Sequence, residues 1–373
     1  MKRIKIALLL CLLAMPGLVW AAANGVFVKD DYVFVKNGKF YMSASPTEPV
    51  VLSGISYPSA VKMVADNPST FDRVVAPNFD FIRSCGLSVV RLQVPLKMVS
   101  KHEENATLSS QNDSVLLALA QMIEYAERIQ LHVVLCLNYE VVSRSDLEQY
   151  SVDDYIALVC QNVNFKMPKT HKPLSLSPSV FSWEIGCFDR MGVFSEDVVA
   201  DYARVLKFLK KAVSNQLVSI SCGDVCYSRS DLLLMENLLN LPEVDYINMK
   251  LLPLEWRWTN TSSLYQTLPN VYIKAQEYFA NYLRLAKRLN KPLVVSEVCY
   301  PRDRNHYEPN SPVDARNSCF NFVLNGLTLS KGGGDGVNAA FFGDFTDESE
   351  KHVPAAIYAS DTQTFAALRL LAR

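Results

Sequence analysis

Glu297 stands in the stretch VVSEVCYPRD (294–303), a carboxylate set into an apolar, β-branched run. A charge in such a run is costly to bury unless something pairs with it. It serves either a structural ion pair or chemistry, as a nucleophile or a proton-transfer group. A second stretch, SWEIGCFDR (182–190), carries Glu184 among Trp183 and Ile185 and closes on Cys187, Phe188 and Asp189. Glu184 lies about 13 Å before Phe188 along an extended strand, so the two cannot share one reacting centre; Glu184 reads as structural. A third group is Cys187, Cys222, Cys226 and Cys299. These four allow a metal or thiol site, or a disulfide in an oxidising compartment. CGDVC (222–226) does not have zinc-ribbon spacing and no histidine ends a strand-like run, so no metal and no cofactor is expected.

The elements that must position these groups alternate in type. Eight short apolar runs read as strands: 50–57, 87–94, 131–138, 179–186, 217–221, 244–250, 292–298 and 336–343. Segments of helical period lie between them, including 71–86, 114–130, 198–213 and 272–290, and 361–372 closes the chain. Continuous apolar strands fit parallel pairing with both faces covered. Eight such units predict one α/β domain, a single (β/α)8 TIM barrel. An open doubly wound sheet is the alternative, but KGGGDG (331–336) precedes a strand rather than following one. Ahead of the barrel, residues 26–41 alternate around KNGK and predict a β-hairpin over its bottom.

The first residues are set apart. MKRIK is basic, an apolar run follows, and Ala21–Ala23 supply small residues, which together read as a signal peptide over 1–23. The domain is then 24–373, secreted or periplasmic, with no membrane span after cleavage. Cys11 lies between leucines and does not read as a lipid-attachment site. A formal net charge of -1 gives no basic excess, which argues against a nucleic-acid partner. A monomer is expected.

In a barrel of this kind chemistry sits where strands end. The polar residues at the eight predicted ends are Ser56 and Tyr57, Arg91 and Gln93, Asn138 and Glu140, and Cys187 and Asp189. They continue with Cys222 and Asp224, Lys250, Glu297, and Asn338 with Asp344. Arg91 is a candidate partner for Glu297.

The order of motifs resembles glycoside hydrolase family 5, in its endo-β-1,4-mannanase branch, over nearly the whole mature chain. FVKNGKFY and LSGISYP resemble the family's opening hairpin and first strand, and GLSVVRLQ its second, with Arg91 in the place of a site arginine. Trp183 in FSWEIG matches the fourth strand's tryptophan. LPLEWRW, with Trp256 and Trp258, resembles the stretch after the sixth strand. KPLVVSEVCYPRD resembles the seventh strand, with Glu297 in the nucleophile's place. The resemblance implies a β-linked polysaccharide or oligosaccharide of the mannan or glucomannan class as partner. Trp256, Trp258, Tyr300 and Tyr307 are then candidate sugar platforms, with packing of loops the competing role.

The same resemblance exposes departures. Where the family's fourth strand ends in Asn-Glu-Pro, this chain has Cys187-Phe188-Asp189, so the acid/base position holds a phenyl ring. The histidine after the sixth strand is Lys250, the aromatic two residues on is Leu252, and the glycine two residues after the nucleophile is Cys299. The eighth-strand tryptophan that floors the cleavage subsite falls at Ala340. Phe188 cannot protonate a leaving oxygen, a service typically worth 10²–10⁴-fold, and Lys250 can pair with Glu297. The expectation is a catalytically impaired pseudoenzyme that keeps a β-glycan-binding groove. The alternative is an active endo-β-mannanase or related glycosidase with a displaced acid, for which Asp224 and Asp344 are the substitutes.

Overall fold

The computed structural model describes residues 31–96, 108–139, 152–186, 196–221, 226–348, 350 and 355–369. The signal-peptide reading and the first residues of the predicted hairpin lie outside them. All eight predicted runs are strands: β4 (Leu52–Tyr57), β5 (Val89–Leu96), β6 (His132–Tyr139), β7 (Val180–Ile185), β8 (Leu217–Ile220), β9 (Ile247–Leu251), β10 (Leu293–Val298) and β11 (Ala339–Phe345). They follow the order β8-β7-β6-β5-β4-β11-β10-β9, and every neighbouring pair is parallel. The two ends of that order meet: Asp245 N–H donates to the Val218 carbonyl at 2.8 Å and Ser219 Oγ to the Tyr246 carbonyl at 2.7 Å. The result is the (β/α)8 barrel that the alternation of runs predicts, with a short β12 (Ala356–Ile357) added beside β11.

Helices cover the outside. They are α1 (Ala60–Asp66), α2 (Ala76–Ser84), α3 (Leu108–Ile129), α4 (Val152–Asn164), α5 (Glu196–Ala212), α6 (Arg229–Leu239), α7 (Leu268–Leu289), α8 (Asp314–Lys331) and α9 (Thr362–Arg369). The longest predicted face is present in α7, where Ala275, Tyr278, Phe279, Tyr282 and Leu285 are buried. Residues 71–86 are less regular than their period suggests: a π-helical turn (Phe71–Val75) leads into α2.

Strand parity divides the core into two shells. Ile55, Val90, Leu135, Trp183, Val295, Ala340 and Phe342 belong to the large cluster shared with the helices. Leu52, Val89, Val134, Phe181, Leu217, Tyr246, Val294, Ala339 and Phe341 form a smaller cluster inside the barrel. The hairpin of β1 (Val33–Lys36) and β2 (Lys39–Met42) closes that inner cluster from below. Phe40 stands edge-on to Phe181 at 5.2 Å and to Tyr246 at 5.9 Å between ring centres. Its turn, Asn37-Gly38, has φ of 51° and 67°, the left-handed pair that a two-residue hairpin loop requires. A third strand, β3 (Ser45–Val50), extends this sheet with an exposed edge. Pro46 and Pro49 lack the N–H groups that would recruit another strand there.

The chain's last segment is locked to the loop after β10. Arg302, fully buried, holds Asp361 through two bonds of 2.7 and 2.8 Å, and Arg316 reaches the same carboxylate at 2.9 Å. The PRD motif is therefore a clamp between the loop after β10 and the chain's last segment, and Asp303 accepts from the first backbone N–H groups of α8.

Gly54 marks a close approach between strands, because a Cβ there would overlap the Val89 carbonyl of β5. Gly54→Ala is expected to cost about 3 kcal/mol or more, read as a lower midpoint in urea at unchanged slope.

Candidate active site

The barrel axis below the mouth holds a buried polar column. Glu184 on β7 is fully inaccessible, and each of its oxygens is used. Arg91 Nε on β5 donates to Oε2 at 2.8 Å, while Asn248 Nδ2 at 2.8 Å and Tyr246 O–H at 3.0 Å donate to Oε1. Arg91 also donates to Ser221 Oγ at 3.0 Å, and Ser182 shares a 2.7 Å bond with the Tyr246 hydroxyl. Burial, and after it the Glu184 carboxylate, pushes the Tyr246 phenol well up, so it remains a donor. Glu184 is structural, as its depth on the strand implied. Arg91 is not the direct partner of Glu297: its guanidinium is committed to Glu184, one layer deeper.

Above this column Lys250 Nζ pairs with Glu297 Oε2 at 3.0 Å, with both side chains mostly buried. Tyr246, Asn248 and Lys250 alternate along one face, so Lys250 is the third inward residue in a row. Tyr246, Asn248 and Ser221 were not singled out in the sequence. The period-two run YINMK (246–250) was the signal that could have found the first two.

Two irregularities deliver the carboxylates. Val294 faces inward, so plain alternation would turn Glu297 out. A register break between Val295 and Glu297 against β9 turns it in. On β11, Phe341 faces inward, and a break between Phe342 and Asp344 against β4 does the same for Asp344. Gly343, at φ 49°, makes that break, and any larger residue there would strike Ile357. One oxygen from each of Glu297 and Asp344 and the Cys299 sulfur then lie within 4.8 Å of one another. Cys299 Sγ is 3.6 Å from Glu297 Oε1.

Burial, then the Glu297 charge, pushes the Asp344 carboxyl up to about 7, against the opposing effect of Lys250 and Arg91. Burial, then Asp344 and Glu297, raises the Cys299 thiol well above its ordinary range, so it stays protonated. Cys226 and Cys299 are free thiols. Cys187, Phe188, Asp189, Glu140, Cys222 and Asp224 lie outside the described residues.

Three aromatic and subsite expectations need correction. Tyr300 is fully buried and donates to the Leu264 carbonyl at 2.7 Å; it packs a loop and presents no face to a sugar. Trp258 is 8 % exposed and packs on Trp256 and Tyr278, so it too is core. Trp256 keeps a partly open side while its ring stands 4.9 Å from Trp258 and 5.1 Å from Tyr278. Ala340 packs with the helix-facing cluster, so it cannot floor the mouth; the inward residues of β11 are Ala339, Phe341 and Asp344.

A carboxylate pair at the C-terminal mouth of a (β/α)8 barrel is the arrangement of a glycoside-hydrolase-like site. The chain resembles a family 5 mannosidase from Rhizomucor miehei, with TM-score 0.72 and 14% identity over 92% of this chain and 97% of that one. It resembles an endo-β-1,4-mannanase from Thermotoga petrophila with TM-score 0.64 and 15% identity, over 87% and 76% of the two chains. For a β-1,4-D-mannanase from Cryptopygus antarcticus the values are 0.57 and 13%, over 91% and 94%. No curated protein matches the sequence. Residues 142–358, more than half of the chain, match the family model described as GH family 5 beta-mannosidase-like, and the chain belongs to that family.

Two outcomes follow from the charges. Glu184→Ala leaves Arg91 buried without its carboxylate and is expected to cost about 3–5 kcal/mol, measured by urea unfolding. An acid whose folded pKa is raised stabilises the fold fully below its unfolded value near 4 and loses that contribution as pH climbs through 7. Asp344→Asn is therefore expected to raise the melting temperature by a few degrees at pH 8, with the gain shrinking towards pH 4 in a thermal melt series.

Proposed function

We propose that this chain is an exported β-mannoside-directed barrel that binds β-linked mannosyl glycans at its mouth and hydrolyses natural glycans poorly. The observation that carries the reading is the 3.0 Å ion pair between Lys250 and Glu297. The ammonium occupies one oxygen of Glu297 and draws negative charge from the other, which weakens the carboxylate as a nucleophile without removing it. The resemblance supports placing Phe188 where the family keeps its acid/base, and a phenyl ring has no proton to give. The mannosidase and mannanase structures that share the fold support mannosyl glycans as the class to test first. Residues 1–23 support export by their pattern of basic, apolar and small residues. Among the described residues no helix is long and apolar enough to cross a membrane.

A second reading, an active glycosidase with a displaced acid, is favoured by one observation: the approach of Asp344 to Glu297.

Affinity electrophoresis in gels containing galactomannan or glucomannan is expected to retard the protein, and Trp256→Ala to lessen the retardation. Reducing sugar from those polysaccharides is expected below about 0.1 s⁻¹, some hundredfold under the ordinary enzyme median. Unchanged mobility in every β-mannosyl polysaccharide would remove the binding reading, and turnover near 10 s⁻¹ would remove the impaired one.

A further inference from the structure

We propose that Asp344 has taken over the general acid/base role from position 188, forming with Glu297 a rebuilt retaining pair on adjacent strands. The inference rests on the β-mannoside reading above and assigns the residual chemistry of that site.

Distance comes first. Retaining hydrolysis needs two carboxyl groups about 5–5.5 Å apart, close enough for one to attack while the other protonates the departing oxygen. An oxygen of Asp344 lies within 4.8 Å of one of Glu297. Direction comes second. Asp344 points into the mouth only because Gly343 breaks the register of β11, and Glu297 only because β10 carries a break of its own. Bulges recur next to active sites because they re-aim one side chain without moving the sheet. A third observation concerns Ser56, Asp344's neighbour across β4 and β11. Its hydroxyl is 2 % exposed and has no hydrogen-bond partner among the described residues. It alternates with Ile55 and Tyr57 of the outer cluster, so it faces inward beside Asp344. A buried hydroxyl without a partner is costly unless something completes it, so Ser56 is an unsatisfied donor and acceptor beside Asp344.

The charges separate the two roles. The charged and titratable groups that act on Asp344 are Glu297 and Cys299 from β10 and the residue that follows it, Lys250 from β9, Arg91 from β5 one layer deeper, and Glu255 from the loop after β9. Lys250 sits on Glu297, and the Asp344 carboxyl, raised to about 7, still carries its proton in mildly acidic solution. One ion-paired carboxylate beside one protonated carboxyl is the division that acid–nucleophile pairs need.

The steps balance. A Glu297 oxygen bonds to the anomeric carbon as the bond to the leaving oxygen breaks, and the Asp344 proton passes to that oxygen. A glycosyl ester, an alcohol and the Asp344 carboxylate result. Asp344 then takes a proton from water, the water oxygen bonds to the anomeric carbon, and the ester bond breaks to return the Glu297 carboxylate. The sum is glycoside plus water giving free sugar plus alcohol.

The experiment compares wild type, Asp344→Asn, Asp344→Glu and Glu297→Gln on two β-mannosides, one with an activated nitrophenyl leaving group and one with an alkyl group. Melting curves establish folding. Wild type is expected to cleave both, with kcat/KM falling as pH rises through about 7. Asp344→Asn is expected to lose 10²-fold or more on the alkyl mannoside, where protonation is needed, and much less in the glycosylation of the nitrophenyl one. The fall through pH 7 should vanish in that variant, azide should restore its turnover as β-mannosyl azide, and Asp344→Glu should retain part of the alkyl activity. Glu297→Gln should lose both substrates. Equal losses on the two leaving groups in Asp344→Asn, an unchanged pH profile, or no azide product would overturn the assignment. So would wild-type protein that cleaves neither mannoside; if it still binds mannan in gels, the binding function stands and this assignment alone falls.

Discussion

A carboxylate shut away from water sits on the barrel axis, and the arrangement above it follows from how that charge is satisfied. Glu184 engages Arg91, Tyr246 and Asn248, which draws β5, β7 and β9 onto one point. Leaving such a carboxylate without these donors would cost several kcal/mol. The donors are therefore not available for anything else. Arg91 is the cation that simple proximity along the barrel would lend to Glu297, yet its Nε is spent one layer lower and its Nη2 on Ser221. The mouth needs its own positive charge, and Lys250, two residues beyond Asn248 on the same face, supplies it.

That substitution of cations changes what the mouth can do. A guanidinium held at a distance orients a nucleophile through the field, whereas an ammonium at 3.0 Å occupies one of its oxygens. Glu297 is left with Oε1, which faces the Cys299 thiol. Because burial and two neighbouring carboxylates keep that thiol protonated, it acts as a weak donor rather than a rival nucleophile. The site can hold a second carboxyl close by because Lys250 offsets part of the repulsion and because that carboxyl retains its proton to near neutrality.

Much of this was legible before any coordinates. The eight strands announce themselves because both of their faces are covered, which makes each an apolar run. Glu297 announces itself as a charge within such a run, and Glu184 reads as structural from its depth. What failed was direction. The Ala340 expectation came from the resemblance alone, and simple alternation from the inward Ala339 and Phe341 turns Ala340 to the helices. The inward turn of Asp344 depends on a bulge at Gly343, which no period-two pattern reveals. The pairing of Arg91 was misplaced for a related reason: partners across a barrel are set by closure and stagger, which sequence spacing does not carry. Tyr300 looked like a sugar platform because an aromatic near a strand end has the same letter whether it faces solvent or a loop.

The bulged strands also explain how a site that stores this much strain can remain ordered. A buried acid with a raised pKa lowers the stability of the fold at neutral pH, and a buried hydroxyl without a partner lowers it further. Such strain persists only where the surroundings over-determine it. Here they do: Arg302, in the loop after β10, and Arg316 bind Asp361, β12 pairs with β11 at Asp344 itself, and the Glu184 column fixes β9 below Lys250. Rigid support of this kind keeps two carboxyl groups close through the cost of their mutual repulsion. The same support holds them at a fixed spacing, as the proposed acid–nucleophile pair requires.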